Sequence, residues 1–309
     1  MYQLIVIGGG ISAHTAALYT ARDGIKTLVL TGLEPDQLSM TTLVENFPGF
    51  PDGIMGPDLI SNAKKQAEKF GAEYKSEKVQ KLVPDQGEFE VVTDRGTYRG
   101  KTVIISTGAS ANWLGVKGEK EYIGRGVSAC ATCDAAFFRD KNVVVVGGGD
   151  TAMEESLVLT RFAKHVTIIH RRDSFKASKI MQDRVFAKSD QIAIVWNTEV
   201  VEVVGDGKFI TGLVIKNNQT GNVSEIKTDG VFVAIGHKTN VEVFKDIITL
   251  DERGYIATDK LGQTNIPGVF AAGDVQDPHF KQAITAAGSG CAAALSVERY
   301  LEDLKEKTK

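Results

Sequence analysis

The sequence predicts an α/β protein of two Rossmann-like three-layer units, the second inserted into a first that is discontinuous along the chain. Three observations lead there. A strand, a glycine-rich turn and a helix-like stretch occur twice at one constant offset. Two later apolar strands, Val103 to Ser106 and Val231 to Ile235, end alike in Thr107-Gly108-Ala109 and Gly236-His237. The 309 residues are enough for two ordinary domains.

The first copy begins with an apolar strand over residues 3–7. Gly8-Gly9-Gly10-Ile11-Ser12-Ala13 follows, then a helix-like stretch from His14 to Asp23 and a second strand from Thr27 to Leu30. The second copy runs from strand Asn142 to Val146 through Gly147-Gly148-Gly149-Asp150-Thr151-Ala152. A helix-like stretch to Phe162 and strand Val166 to Ile169 complete it. Each is a βαβ unit with a G-x-G-x-x-A fingerprint. The first glycine permits the tight turn, the second admits a pyrophosphate to the backbone, and the small third residue lets helix pack on strand. The helix N-terminus favours the negative charge. One such match is weak; two in the correct context predict two dinucleotides.

The ends of the second strands differ. The second copy continues into His170-Arg171-Arg172-Asp173-Ser174-Phe175-Lys176, where an NAD site usually carries an acid. Basic residues there suit a 2′-phosphate, so NADPH is expected over NADH. Thr31-Gly32, the equivalent place in the first copy, does not discriminate. Near the C-terminus, Gly268-Val269-Phe270-Ala271-Ala272-Gly273-Asp274 predicts a strand ending in Gly-Asp, and Gln282 to Tyr300 a helix rich in small residues. Expected boundaries are 1–112 and 242–309 for the outer unit and 113–241 for the inserted one.

The balance of 36 basic and 39 acidic residues, a net −3 without long runs of either sign, offers no footprint for nucleic acid or anionic membrane. No stretch has the length of a membrane helix, and the first residues lack a signal-peptide pattern. A cytoplasmic location is expected.

Cys130-Ala131-Thr132-Cys133 stands just before the second copy and is followed by Asp134. A pair at this spacing can close a small disulfide ring, with one thiolate to attack and the other to resolve a mixed disulfide. An adjacent carboxylate can move the protons. A zinc site needs two more ligands at recognisable spacing, and none exists, so no metal is expected. Cys291, alone in an Ala/Gly-rich stretch, reads as a small buried hydrophobe.

Across essentially its whole length the chain resembles the low-molecular-weight thioredoxin reductases. The resemblance rests on Val44-Glu45-Asn46-Phe47-Pro48-Gly49-Phe50, Ser128-Ala129-Cys130-Ala131-Thr132-Cys133-Asp134 and Gly147-Gly148-Gly149-Asp150-Thr151-Ala152-Met153-Glu154-Glu155. His170-Arg171-Arg172, Ala234-Ile235-Gly236-His237 and Ala271-Ala272-Gly273-Asp274-Val275 with Gln282-Ala283-Ile284-Thr285 add to it. It implies a homodimer and electrons running from NADPH through FAD to the Cys130–Cys133 disulfide and on to thioredoxin or a thioredoxin-like protein. Cys133 is implied to face the flavin, Cys130 to attack the substrate, and Asp134 to serve as acid and base. For FAD the matching positions are Gly8, Gly10, Ile11, Ser12, Ala13, Gln37, Leu38, Asn46, Thr107, Gly108, Gly273, Asp274, Lys281, Gln282 and Ala283. For NADPH they are Gly147, Gly149, Asp150, Thr151, Ala152, His170, Arg171, Arg172, Lys176 and Gly236.

The chain departs from that pattern in places. Pro35-Asp36-Gln37-Leu38-Ser39-Met40 lacks the family's two glycines and is a residue shorter. Ile11-Ser12 replaces Pro-Ala, Ala135 replaces a glycine, and Lys176 and Lys281 replace arginines. Three rival readings are a flavin-dependent dithiol oxidase, a ferredoxin-linked reductase and a non-catalytic redox-sensing nucleotide binder. The basic pair Arg171-Arg172 argues against the first two, and the intact C-x-x-C-Asp against the third.

Overall fold

A computed structural model describes residues 1–307. The chain forms two compact units. One is Met1–Ser110 with the C-terminal residues from Lys238 onward, and the other is Ala111–His237, inserted between those segments.

The outer unit begins β1 (Tyr2–Ile7), α1 (Ile11–Arg22), β2 (Thr27–Leu30), β3 (Leu43–Val44), β4 (Ile54–Met55), α2 (Gly56–Lys69), β5 (Glu73–Lys75), β6 (Val79–Asp85), β7 (Glu88–Thr93), β8 (Thr97–Ile105) and β9 (Ala109–Ala111). The inserted unit carries β10 (Val127–Ser128), α3 (Ala131–Asp134), β11 (Asn142–Val146), α4 (Asp150–Leu159), β12 (His165–Ile169), α5 (Lys179–Phe186), β13 (Ile192–Val195), β14 (Thr198–Gly205), β15 (Ile210–Asn217), β16 (Val223–Lys227) and β17 (Gly230–Val233). After β18 (His237–Thr239) the outer unit resumes with β19 (Val269–Ala271) and α6 (Ala283–Lys307).

The outer sheet has the order β5-β2-β1-β8-β7-β6, with β19 also on β8. Its β5, β2, β1, β8 and β19 run parallel, while β6, β7 and the start of β8 form an antiparallel meander. The inserted unit's sheet, β10-β17-β11-β12-β13, is parallel throughout. Beside it stands the antiparallel ribbon β14-β15-β16.

Both central strands are buried on two faces, which is why their sequences are continuously apolar. On β1, Leu4 and Val6 face the core made with α1 and α6, whereas Ile5 and Ile7 face the core under the meander. On β11, Val143 and Val145 face α4 and α5, and Val144 and Val146 face the ribbon. Successive side chains alternate between faces, so one strand feeds two cores. The third layer of each unit is built from antiparallel strands, opposite the helices. The C-terminal helix runs past the expected Tyr300, because Leu301 adds another buried position to the stripe of Ala293, Ala294 and Val297.

The first glycine turn demonstrates why the pattern needs glycine. Gly8 has φ +139°, and a Cβ there would stand 2.0 Å from the Ser106 carbonyl oxygen at the end of β8. Neither obstacle can yield, since one is backbone geometry and the other a backbone atom. Gly8→Ala is expected to cost about 2–6 kcal/mol, combining strain and overpacking. Gly10→Ala, whose Cβ meets nothing nearer than the Asp36 Cβ at 4.0 Å, should be far milder. Thermal melts of the two variants check this, and equal melting temperatures would contradict it.

Candidate active site

The redox pair lies in the inserted unit. Cys130 and Cys133 are joined by a disulfide, with Cα atoms 5.3 Å apart. Cys130 caps the single turn α3, and the Cys133 backbone N–H donates to Cys130 Sγ at 3.2 Å. A donor at that sulfur favours its thiolate when the bond is open. Cys130 is half-buried and Cys133 exposed.

Ser128, at the end of β10, holds the pair and the acid together. Its hydroxyl donates to Asp134 Oδ2 at 2.6 Å and accepts the Cys130 N–H at 3.1 Å. Burial pushes the Asp134 carboxyl up from its ordinary range, and the Ser128 hydrogen bond opposes that shift. A carboxyl beside the pair is in place to take and return a thiol proton. Ser128 belonged to the matched motif but had no role on sequence grounds; its position two residues before the first cysteine was the available signal.

The nucleotide end of the same unit is built around α4. Its N-cap, Gly149, provides no side-chain cap, and a Cβ there would meet nothing within 4 Å. The first-turn N–H groups therefore open onto free space, as an incoming phosphate requires. Gly147 could not carry a side chain, since its Cβ would lie 2.3 Å from the Ala234 carbonyl oxygen and 2.8 Å from the Ala152 Cβ. Thr151 is exposed and Ala152 fully buried, and Gly236 adopts φ +98° beyond β17.

The basic segment is folded back onto this turn. The N–H groups of Lys176 and Ala177 donate to the Gly148 carbonyl at 2.8 and 3.1 Å. Asp150 Oδ1 accepts both the N–H and the hydroxyl of Ser178, at 2.7 and 2.8 Å. Phe175 is pinned on Trp196, with ring centroids 4.4 Å apart. These anchors leave Arg171, Arg172 and Lys176 exposed, with no acidic partner within 4.0 Å among the described residues. His170 is buried instead, its Nε2 at 3.0 Å from the Ser174 carbonyl. Its ring fills the space a Gly148 side chain would need, at 2.1 Å from the ideal Cβ. His170 thus supports the turn from within, and Asp150 ties it to Ser178 from the outside.

The outer unit has its own open helix start. Gly10 caps α1 without a side-chain hydrogen bond. Ile11, Ser12 and Ala13 are buried, and Ser12 Oγ lies 2.5 Å from Ser106 Oγ. Gly273, at φ +78°, has no room for a Cβ because Ser12 Oγ stands 2.4 Å away. Asp274, the next residue, is pushed up to about 6 by burial and then by Asp277, against the pull of Lys281.

The shortened loop is stapled by its own acid. Asp36 accepts the N–H groups of Leu38 and Ser39 at 2.9 and 3.2 Å and the Ser39 hydroxyl. Gln37 then donates from Nε2 to the Ala109 carbonyl at 2.6 Å, and Leu38 packs with Ile11, Leu59 and Ala283. Asn46 Nδ2 donates to Gln282 Oε1 at 3.3 Å. Lys281 takes φ +49° and donates from Nζ to the Pro278 carbonyl at 2.9 Å. Thr107 and Asn240 exchange hydrogen bonds at 2.7 and 2.8 Å next to Gly108, at φ +70°. Asn240 and Asp36 had no assigned role, because their partners are distant or conformational.

Each unit thus has an uncapped helix start behind one glycine, Gly8 or Gly147, whose Cβ would strike a backbone carbonyl, which fits FAD in one and a nicotinamide nucleotide in the other. No described helix is long and apolar enough to cross a membrane. Among the described residues, no cluster of His, Cys, Asp and Glu could hold a metal. Cys291 is half-buried beside the Tyr19 hydroxyl.

The family model for pyridine nucleotide-disulphide oxidoreductases matches residues 2–290. A thioredoxin reductase of Streptomyces clavuligerus is 51% identical over 98% of this chain and 95% of its own length. Among solved structures, thioredoxin reductase from Streptococcus pyogenes MGAS5005 superposes with a TM-score of 0.94 at 42% identity, covering 98% of this chain and 99% of the other. The enzyme from Giardia duodenalis gives 0.92 at 40% identity over 97% and 99%. With its disulfide on one unit and two open dinucleotide turns, the chain belongs to the pyridine nucleotide-disulphide oxidoreductase family, among the thioredoxin reductases.

Proposed function

We propose that this chain is an NADPH-dependent thioredoxin-disulfide reductase acting through Cys130, Cys133 and Asp134. The observation that carries this reading is the Ser128 hydroxyl, which ties the disulfide helix to a buried carboxyl. FAD, when bound, supplies the two-electron chemistry between the nicotinamide and the disulfide. The open turn before α1, with Gly273 and Asp274, would hold it in the outer unit. The turn before α4 would hold the NADPH pyrophosphate, and Arg171, Arg172 and Lys176 would hold the 2′-phosphate.

In the reduced chain, Cys130 is the attacking thiolate, favoured by the Cys133 N–H at its sulfur. It displaces one sulfur of the substrate disulfide and forms a mixed disulfide. Cys133 then attacks Cys130 Sγ, closing the intramolecular disulfide and releasing the second substrate sulfur. Asp134 accepts the thiol protons and returns them to the departing thiolates, so that the substrate leaves as a dithiol.

A homodimer and a cytoplasmic location belong to the same proposal and rest on the resemblance to thioredoxin reductases; light scattering tests the first. The central assay follows NADPH oxidation with a thioredoxin, beside NADH and oxygen controls. Oxidation that depends on thioredoxin and prefers NADPH is the expected result. Equal oxidation with oxygen alone would favour an oxidase and sink the proposal.

A further inference from the structure

Glu155 has no part in the chemistry above. It lies on α4, the helix against which α3 packs with Cys133 and Asp134. The residue is half-buried, but its Oε2 is closed to solvent and has no hydrogen-bond partner, alone in this among side-chain oxygens and nitrogens of the described residues. The favourable group facing its carboxyl is the backbone N–H of Ala131, in α3. The charged groups bearing on it are Asp134 from α3 and Glu154 on its own helix, both acidic; α5, also packed on α4, brings none.

A carboxylate in that position has one oxygen shut off from water and no cation bearing on it, and taking up a proton relieves the cost. Burial, followed by the neighbouring acids, pushes the Glu155 carboxyl up to about 7. Asp134 is better provided for, since Ser128 donates to its Oδ2. Two coupled acids with unequal donors do not ionise together.

We propose that Glu155 is a positioning residue of the dithiol centre, a second carboxyl that holds the proton of the Asp134–Glu155 pair so that Asp134 meets the thiols as the single negative charge. The inference rests on the reading of Asp134 as the acid–base group. Above the pH at which Glu155 ionises, a second charge stands beside Asp134 and strengthens its hold on any proton it takes. Return of that proton to the departing thiolate then slows.

The test uses holoenzyme labelled with carbon-13 at the glutamate carboxyls and titrated by NMR. One glutamate should titrate near pH 7, vanish in Glu155→Gln, and move down by roughly half a pH unit or more in Asp134→Asn, where the neighbouring charge is gone. The pH profile of kcat/KM for thioredoxin should lose its inflection near 7 in Glu155→Gln. No glutamate titrating above the ordinary range, a titration indifferent to Asp134→Asn, or an unchanged inflection would each overturn the proposal. If Asp134→Asn leaves disulfide turnover intact, the reading of Asp134 itself fails. If turnover collapses while the glutamate titration stays put, only the coupling to Glu155 fails. Asp134→Asn keeps the test open should Glu155→Gln not fold.

Discussion

Cys130→Ser and Cys133→Ser each bring NADPH-driven reduction of a protein disulfide down to the assay background, while NADPH oxidation with ferricyanide continues. Serine nearly matches cysteine in size, so Ser128, Asp134 and the glycine turn before α4 keep their places. What disappears is sulfur chemistry. Without Cys130 no mixed disulfide forms with the substrate, and without Cys133 none is resolved. The two variants also part company. Cys133→Ser should trap a substrate covalently once its Cys130 is reduced, whereas Cys130→Ser should not. Non-reducing electrophoresis after mixing with a thioredoxin reads the adduct. Substantial disulfide turnover in either variant would remove the pair from the mechanism.

The double change Arg171→Ala, Arg172→Ala raises the KM for NADPH by roughly one to two orders of magnitude, through loss of charge-assisted hydrogen bonds to the 2′-phosphate. NADH should be nearly unaffected. Both arginines are exposed, without acidic partners among the described residues, on a segment fixed through Gly148 and Asp150. Their loss therefore removes ligand contacts without breaking ion pairs in the free protein. Salt should weaken NADPH binding in the wild type far more than in the variant, because exposed charges are readily screened. Equal losses with NADPH and NADH would show that these side chains do not read the phosphate.

The two nucleotide turns were legible because every feature that makes them is local. The apolar runs Leu4–Ile7 and Val143–Val146 and the glycines after them occupy consecutive positions. So does Cys130-Ala131-Thr132-Cys133-Asp134, whose spacing allows the ring that the structure contains. The third layers were not legible as strands. Whether a meander or a helix covers a sheet face depends on where the chain returns, and the apolar strand reads alike beneath either.

By itself, then, the sequence determined the duplicated strand–turn–helix units, the insertion of one within the other, and the spacing that lets Cys130 and Cys133 close a disulfide. Each follows from residue type and short-range spacing, which act before the chain has folded. Only the tertiary structure decided the state of the acids. Asp134 and Glu155 lie on different helices and belong to one electrostatic system only because α3 packs on α4. Ser128 meets Asp134 across a turn, Asp150 meets Ser178 from the far end of the next strand, and Gln37 reaches the Ala109 carbonyl. A carboxyl's proton affinity depends on the water it has lost and the donors it has gained. Both are properties of packing, which sequence spacing does not record.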